Sequence, residues 1–309
     1  GQEKRLKDFH QSLARLGREL RTRHADAFHP QEAIPAVSDD VSRLWRHLHL
    51  TLLRLPAADR DHWARRLADT AERRLGQRTE CGPDTVVPAL PGVYPERLDV
   101  PLPLTAEPET EPSPSSRRVR EILDQVPATP AVRNELRPWA VRLEQAVRLL
   151  RVDLALGWYP QLEYPTWTVL GPHDFRSFGI EGLWQLATAL GTGTVEARLE
   201  SAQNLDEILG SVCHRRPARH GSWWWDWRLA VAEPLLVLGV EAGRRSLEPG
   251  EFRDEESDSL RAWCDGIEGE DLPGPVVHWM VRAPLRPAVE HADGQNPKFR
   301  GRIVQSRRW

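Results

Sequence analysis

Nine of the chain's prolines fall between Arg78 and Ser116, and that stretch divides everything on either side of it. Proline has no amide hydrogen to give a helix or a sheet, and it biases the preceding residue toward extended backbone. Residues 78–116 therefore read as a linker or strap, and two basic against seven acidic residues give it a net charge of −5. Glu107 to Ser116 reads as flexible. Val86 to Leu104 carries enough apolar residues to lie along a surface.

Before the prolines, apolar residues recur at helical spacing. Leu6, Phe9, Leu13, Leu16 and Leu20 alternate steps of three and four, which predicts an amphipathic helix from Gln2 to His24. A second helix is expected after Ser38, with Asp39 and Asp40 against the positive end of its dipole. It carries Val41, Leu44, Trp45, Leu48 and Leu52 and stops at Pro56; its His47 and His49 read as a partly exposed face. A third runs from Asp59 through Trp63, Leu67 and Ala71 to a C-cap at Gly76.

Beyond the prolines, helices are predicted at Arg117–Val126, Pro138–Gly157, Ile180–Leu190, Val195–Val212, Ser222–Arg245, Ser257–Ile267 and Pro275–Val281. Thr166–Leu170 suits a short strand, and Asn204 with Glu207 resembles a capping box that would break a helix there. There is no internal repeat and no βα alternation. The expected fold is all-α: a helical bundle at 1–77, a proline-rich acidic linker at 78–116, a helical domain at 117–285 and a basic tail at 286–309.

A chain of 309 residues, 40% hydrophobic, can build two such cores. Three cysteines do not make a disulfide framework. The most apolar segment, Leu229 to Val240, is interrupted by Glu233 and Pro234 and is too short to span a bilayer. A cytoplasmic protein with no membrane contact is the expectation. The net charge of −3 conceals +4 in 1–77, +3 in 117–157, −9 in 158–285 and +4 in 286–309.

Most catalytic signatures are absent. Only Lys4, Lys7 and Lys298 are lysines, so phosphate-binding loops and Schiff-base chemistry have almost nothing to work with, and codon usage is the simplest account of the arginine excess. Cys213, His214 and His220, with Cys264 and His278 further on, have the ligand chemistry of zinc. Adjacent Cys and His side chains do not easily address one ion, so no metal and no cofactor are expected. His173–Asp174 lies in a Gly–Pro-flanked loop where a dyad could be exposed, yet sequence neighbours rarely orient one another and Asp174 suits a cap. The acidic run Glu251–Asp258 reads as a solvated connection.

The most unusual segment is Ser222–Arg228, SWWWDWR. Successive helical residues are rotated by about 100°, so Trp223, Trp224 and Trp225 cannot share a face, and at least one is expected at a surface or against another subunit. With Arg215, Arg216, Arg219 and Arg228 nearby, they suit a base-stacking or phosphate-binding platform; the simpler reading is an aromatic hub between helices. The tail repeats the pattern, with Arg300, Arg302, Arg307 and Arg308 around Phe299 and Trp309. The sequence thus predicts a non-catalytic helical subunit or adaptor of a multiprotein assembly, binding protein partners through these residues, with nucleic acid as a second partner class. The competing readings are a hydrolase or nuclease built on His173, Asp174, Cys213, His214 and His220, and a stand-alone peptide- or protein-recognition module.

Overall fold

The computed structural model describes residues 1–28, 40–104, 113–153, 156, 171–213, 218–246, 262–269, 277–287 and 298–306. They are predominantly helical, with eight α-helices and seven short strands among them. The chain separates into two compact units: Gly1–Thr105 with Arg216–Asp226, and Ala106–Arg215 with Trp227–Trp309.

In the first unit, α1 (Gln2–Arg23) buries Phe9, Leu13, Leu16 and Leu20, four of the five residues of the seam. α2 (Val41–Leu52) starts where the Asp40 carboxylate accepts the amides of Ser42 and Arg43 at 2.9 and 3.3 Å. α3 (Ala57–Leu75) ends at Gly76, whose φ of 70° is the left-handed cap that glycine adopts without strain. Gly17 lets Leu48 of α2 approach α1 closely; a Cβ there would lie 3.2 Å from its Cδ2.

The apolar half of the proline-rich stretch packs on this unit. β1 (Thr85–Val87) pairs antiparallel with β2 (Leu98–Asp99), and Val87, Leu90 and Val100 are buried. The Trp45 indole donates to the Pro88 carbonyl at 3.0 Å, tying the strand pair to α2. Of Glu107–Ser116, where flexibility is expected, residues 107–112 lie outside the described residues, whereas Ser113 caps a helix and Pro114–Ser116 form its first turn, which corrects that part of the expectation. His49 corrects the sequence reading: it is 3% exposed, with its ring 4.3 Å from that of Trp45. Its Nδ1–H donates to the Trp45 carbonyl at 2.7 Å, and burial lowers its pKa to about 4.

The second unit contains α4 (Pro114–Asp124), α5 (Pro130–Val152), α6 (Pro172–Thr192) and α7 (Val195–Gly210). Ser113, Thr129 and Thr194 each cap a helix, their hydroxyls accepting the amides of Ser116, Val132 and Ala197. α7 runs unbroken through Asn204, so the resemblance to a capping box there is not realised. α8 (Trp223–Glu241) begins in the first unit and continues in the second from Trp227.

Strands stand where two helices were expected. In place of helices at Ser257–Ile267 and Pro275–Val281 the described residues form β4 (Cys264–Gly269) and β5 (Val277–Arg282). β3 (Arg244–Ser246) pairs with β6 (Leu285–Pro287), and β7 (Gly301–Ser306) lies between β4, to which it is parallel, and β5, to which it is antiparallel. Central position explains why consecutive Ile303 and Val304 are both buried. Part of the stretch expected to be a basic tail is thus the middle strand of a sheet.

α7 is tied to this sheet by polar groups. The Arg228 guanidinium grips Asp206 through two bonds of 2.8 and 2.9 Å, and also donates to the Met280 and Val281 carbonyls. Asp206 accepts the Ala283 amide as well, and both charged side chains are no more than 1% exposed. One turn earlier, Gln203 donates to the carbonyls of Ala283, Phe299 and Arg300. Backbone groups at the sheet's end find partners in this way where no further strand supplies them.

Candidate functional site

α6 is approached closely on two sides at glycines. A Cβ at Gly179 would lie 2.4 Å from Leu143 of α5, and one at Gly182 would lie 3.0 Å from Leu205 of α7. Phe175, Ile180, Leu183 and Leu186 fill the inward side. The outward side of the same helix still carries large apolar groups, Phe178 at 41% exposure and Trp184 at 52%.

Trp184 lines an open groove of about 960 Å³ along α6 and α7. Its floor includes Ile180, Ala189 and Ala197, while His173, Arg176 and Glu181 put polar groups of both signs along α6. A mostly apolar channel with a few ionic groups is the composition of a recognition surface. The groove was missed in the sequence because Trp184 lies off the Leu183–Leu186 seam. An indole outside its helix's own apolar stripe was the available signal.

The expected platform residues are placed differently. Trp223, Trp224, Trp225 and Trp227 are all buried, none more than 8% exposed, which corrects the expectation of a surface tryptophan. The start of α8 buries these indoles on more than one face, while Asp226 between them stays exposed. The Trp223 indole donates to the Pro101 carbonyl at 2.8 Å and packs edge-on against Trp224, and Trp225 packs against His220.

The described arginines are engaged by carboxylates of their own unit. Arg219 pairs with Asp26 at 3.0 Å and Asp59 at 3.8 Å and donates to the His24 ring. Arg228 is committed to Asp206, Arg302 bonds Glu207 at 2.8 Å, and Arg300 bonds Asp265 at 2.8 Å together with the Ala262 and Cys264 carbonyls. Arg228 and Arg302 thus meet at the adjacent Asp206 and Glu207 of α7, while Arg219 belongs to the first unit. Arg215, Arg216, Arg307, Arg308 and Trp309 lie outside the described residues.

The catalytic candidates among the described residues are divided between the two units. His173 and Asp174 open α6 in the second unit, whereas His220 belongs to the first. His214 and the Cys213 side chain lie outside the described residues. Cys264 is buried, and burial pushes its thiol pKa up to about 12, far from the thiolate that a nucleophile or metal ligand requires. Among the described residues no three His, Cys, Asp or Glu side chains are placed to hold a metal ion, and no helix is long and apolar enough to cross a membrane. Comparison of the chain with protein-family models, with curated proteins and with solved structures gives no match.

Proposed function

We propose that the chain is a non-catalytic helical adaptor of a multiprotein assembly, and that the α6–α7 groove docks a segment of a partner protein. The observation that carries this reading is Trp184, half exposed inside a groove of about 960 Å³. A partly solvated indole flanked by polar groups is the residue type that dominates binding energy at protein interfaces. The partner segment presents an apolar side chain to Trp184 and Ile180, with a carboxylate for Arg176 and a cation for Glu181. The neutralised arginines weigh against the nucleic-acid reading, because a polyanion would have to displace carboxylates already in place.

Trp184→Ala decides between these. Its exposure places the cost to stability within about 0.5 kcal/mol, whereas loss of an interface anchor costs about 2 kcal/mol, some thirtyfold in affinity. Proteins that co-purify with the native chain are expected to be depleted by Trp184→Ala and retained by Val240→Ala on α8. An unchanged partner set in both variants sinks the groove as a docking site. Salt-sensitive binding of single- or double-stranded nucleic acid by the purified chain would favour the other partner class.

A further inference from the structure

A second feature, independent of the groove, lies at the start of α4. Ser115 is the second residue of that helix, after the Ser113 cap and Pro114. Its Oγ accepts hydrogen bonds from two guanidinium groups: Arg118 Nη2 of the next turn at 3.3 Å, and Arg148 Nη2 of α5 at 3.0 Å. The same two arginines hold Glu144, whose Oε1 accepts from Arg118 Nε at 2.6 Å and whose Oε2 accepts from Arg148 Nη2 at 2.8 Å. Glu144 is 5% exposed, while Ser115 is partly open to solvent.

Two cations thus converge on one neutral hydroxyl, and both also hold the buried Glu144 carboxylate. A serine oxygen can accept both donors, but a hydrogen bond gains most when both of its partners are ionised. A phosphoryl group on this oxygen would carry about −1.5 to −2 charges at neutral pH and three acceptor oxygens. It would meet both arginines and stand at the positive end of the α4 dipole. The exposed Arg117 and Arg120 of α4 add to the local positive charge.

We propose that Ser115 is a phosphorylation site whose phosphate is clamped by Arg118 and Arg148. The donor is a nucleoside triphosphate bound to a protein kinase. Ser115 Oγ attacks the γ-phosphorus, the new O–P bond forms as the bond to the β–γ bridging oxygen breaks, nucleoside diphosphate leaves, and the hydroxyl proton passes to the kinase's base. Phosphate then shares the arginines with Glu144, stiffening the junction of α4 with α5 at the first helix after the acidic proline-rich stretch.

The full chain carrying phosphoserine at 115, introduced during translation, is compared with the unmodified chain and with phosphoserine at 116. Ser116 lies in the same turn but donates its hydroxyl to the Ser113 carbonyl, so it shares the helix end without the arginine pair. Phosphoserine at 115 is expected to raise Tm by about 4 °C and to slow amide exchange in α4 roughly tenfold, an effect abolished by Arg148→Gln or Arg118→Gln. An unchanged or lowered Tm overturns the clamp. So does an equal gain from position 116, or a gain that survives both glutamine variants. Phosphopeptide mapping of the protein from its own cells is expected to place phosphate on Ser115; its absence there across growth conditions overturns the assignment.

Discussion

Replacing Asp206 with Ala is expected to lower the stability of the second unit by about 3–5 kcal/mol, the largest effect of any change to a charged residue described above. The loss is not the worth of an ion pair in isolation. Removing the carboxylate strands the Arg228 guanidinium at 1% exposure, with the Met280 and Val281 carbonyls its remaining partners among the described residues. It also orphans the Ala283 amide. The paired variant Asp206→Leu with Arg228→Met removes both charges and is expected to recover much of that loss, because two apolar groups need no solvation. Denaturant melts of the two variants measure this. A double variant no more stable than Asp206→Ala would mean that the backbone contacts, and not charge burial, set the cost.

Acid is expected to weaken the first unit through one side chain. His49 ionises near 6.5 when unfolded, and burial holds it to about 4 in the folded unit. Between those values the unfolded chain takes up a proton that the folded chain refuses. The contribution is therefore intact above pH 6.5 and declines as pH falls, the loss reaching about 3 kcal/mol by pH 4. Denaturant titrations between pH 7 and 4 should show this slope in the native chain and lose most of it in His49→Gln. An equal slope in both would place the acid sensitivity in the carboxylates instead.

Helices were legible wherever a local signal sufficed. The leucine seam of α1, the Asp40 cap and the left-handed Gly76 all act within a few residues of chain, and the first three helices stand within a few residues of the positions read from them. α5 starts earlier than its proline suggested, because Thr129 and Pro130 open it and Pro138 is tolerated inside. The sheet was not legible. β5 reads VHWMVR, a run that suits a buried helix or a buried strand equally, and only pairing with β7 decides it. The same limit hid the charge pairing. Asp206 and Arg228 are 22 residues apart, and nothing in their neighbours announces that they meet. His49 was misread for a related reason, since α2 buries more of its circumference than its leucines alone require. Of the candidate sites, arginine and tryptophan clusters were visible as composition, while the groove depended on which side of α6 its neighbours leave open.

The segment Arg216–Asp226 completes a unit whose other residues end at Thr105, and this sets an order of events during synthesis. When residue 105 leaves the ribosome, α1, α2 and α3 exist, but His24 lacks the Arg219 guanidinium 195 residues ahead. The Pro101 carbonyl still waits for the Trp223 indole 122 residues ahead. All of Ala106–Arg215 must be translated first. At about 5–20 residues per second, that is a delay on the order of 5–20 s. Over that interval the nascent bundle presents an unfilled edge at the corner between α2 and α3, where Leu53 and Arg54 offer their carbonyls to Trp224 and Arg219. A nascent chain arrested shortly after residue 105 is thus a natural client for a chaperone, and one arrested beyond residue 226 is not.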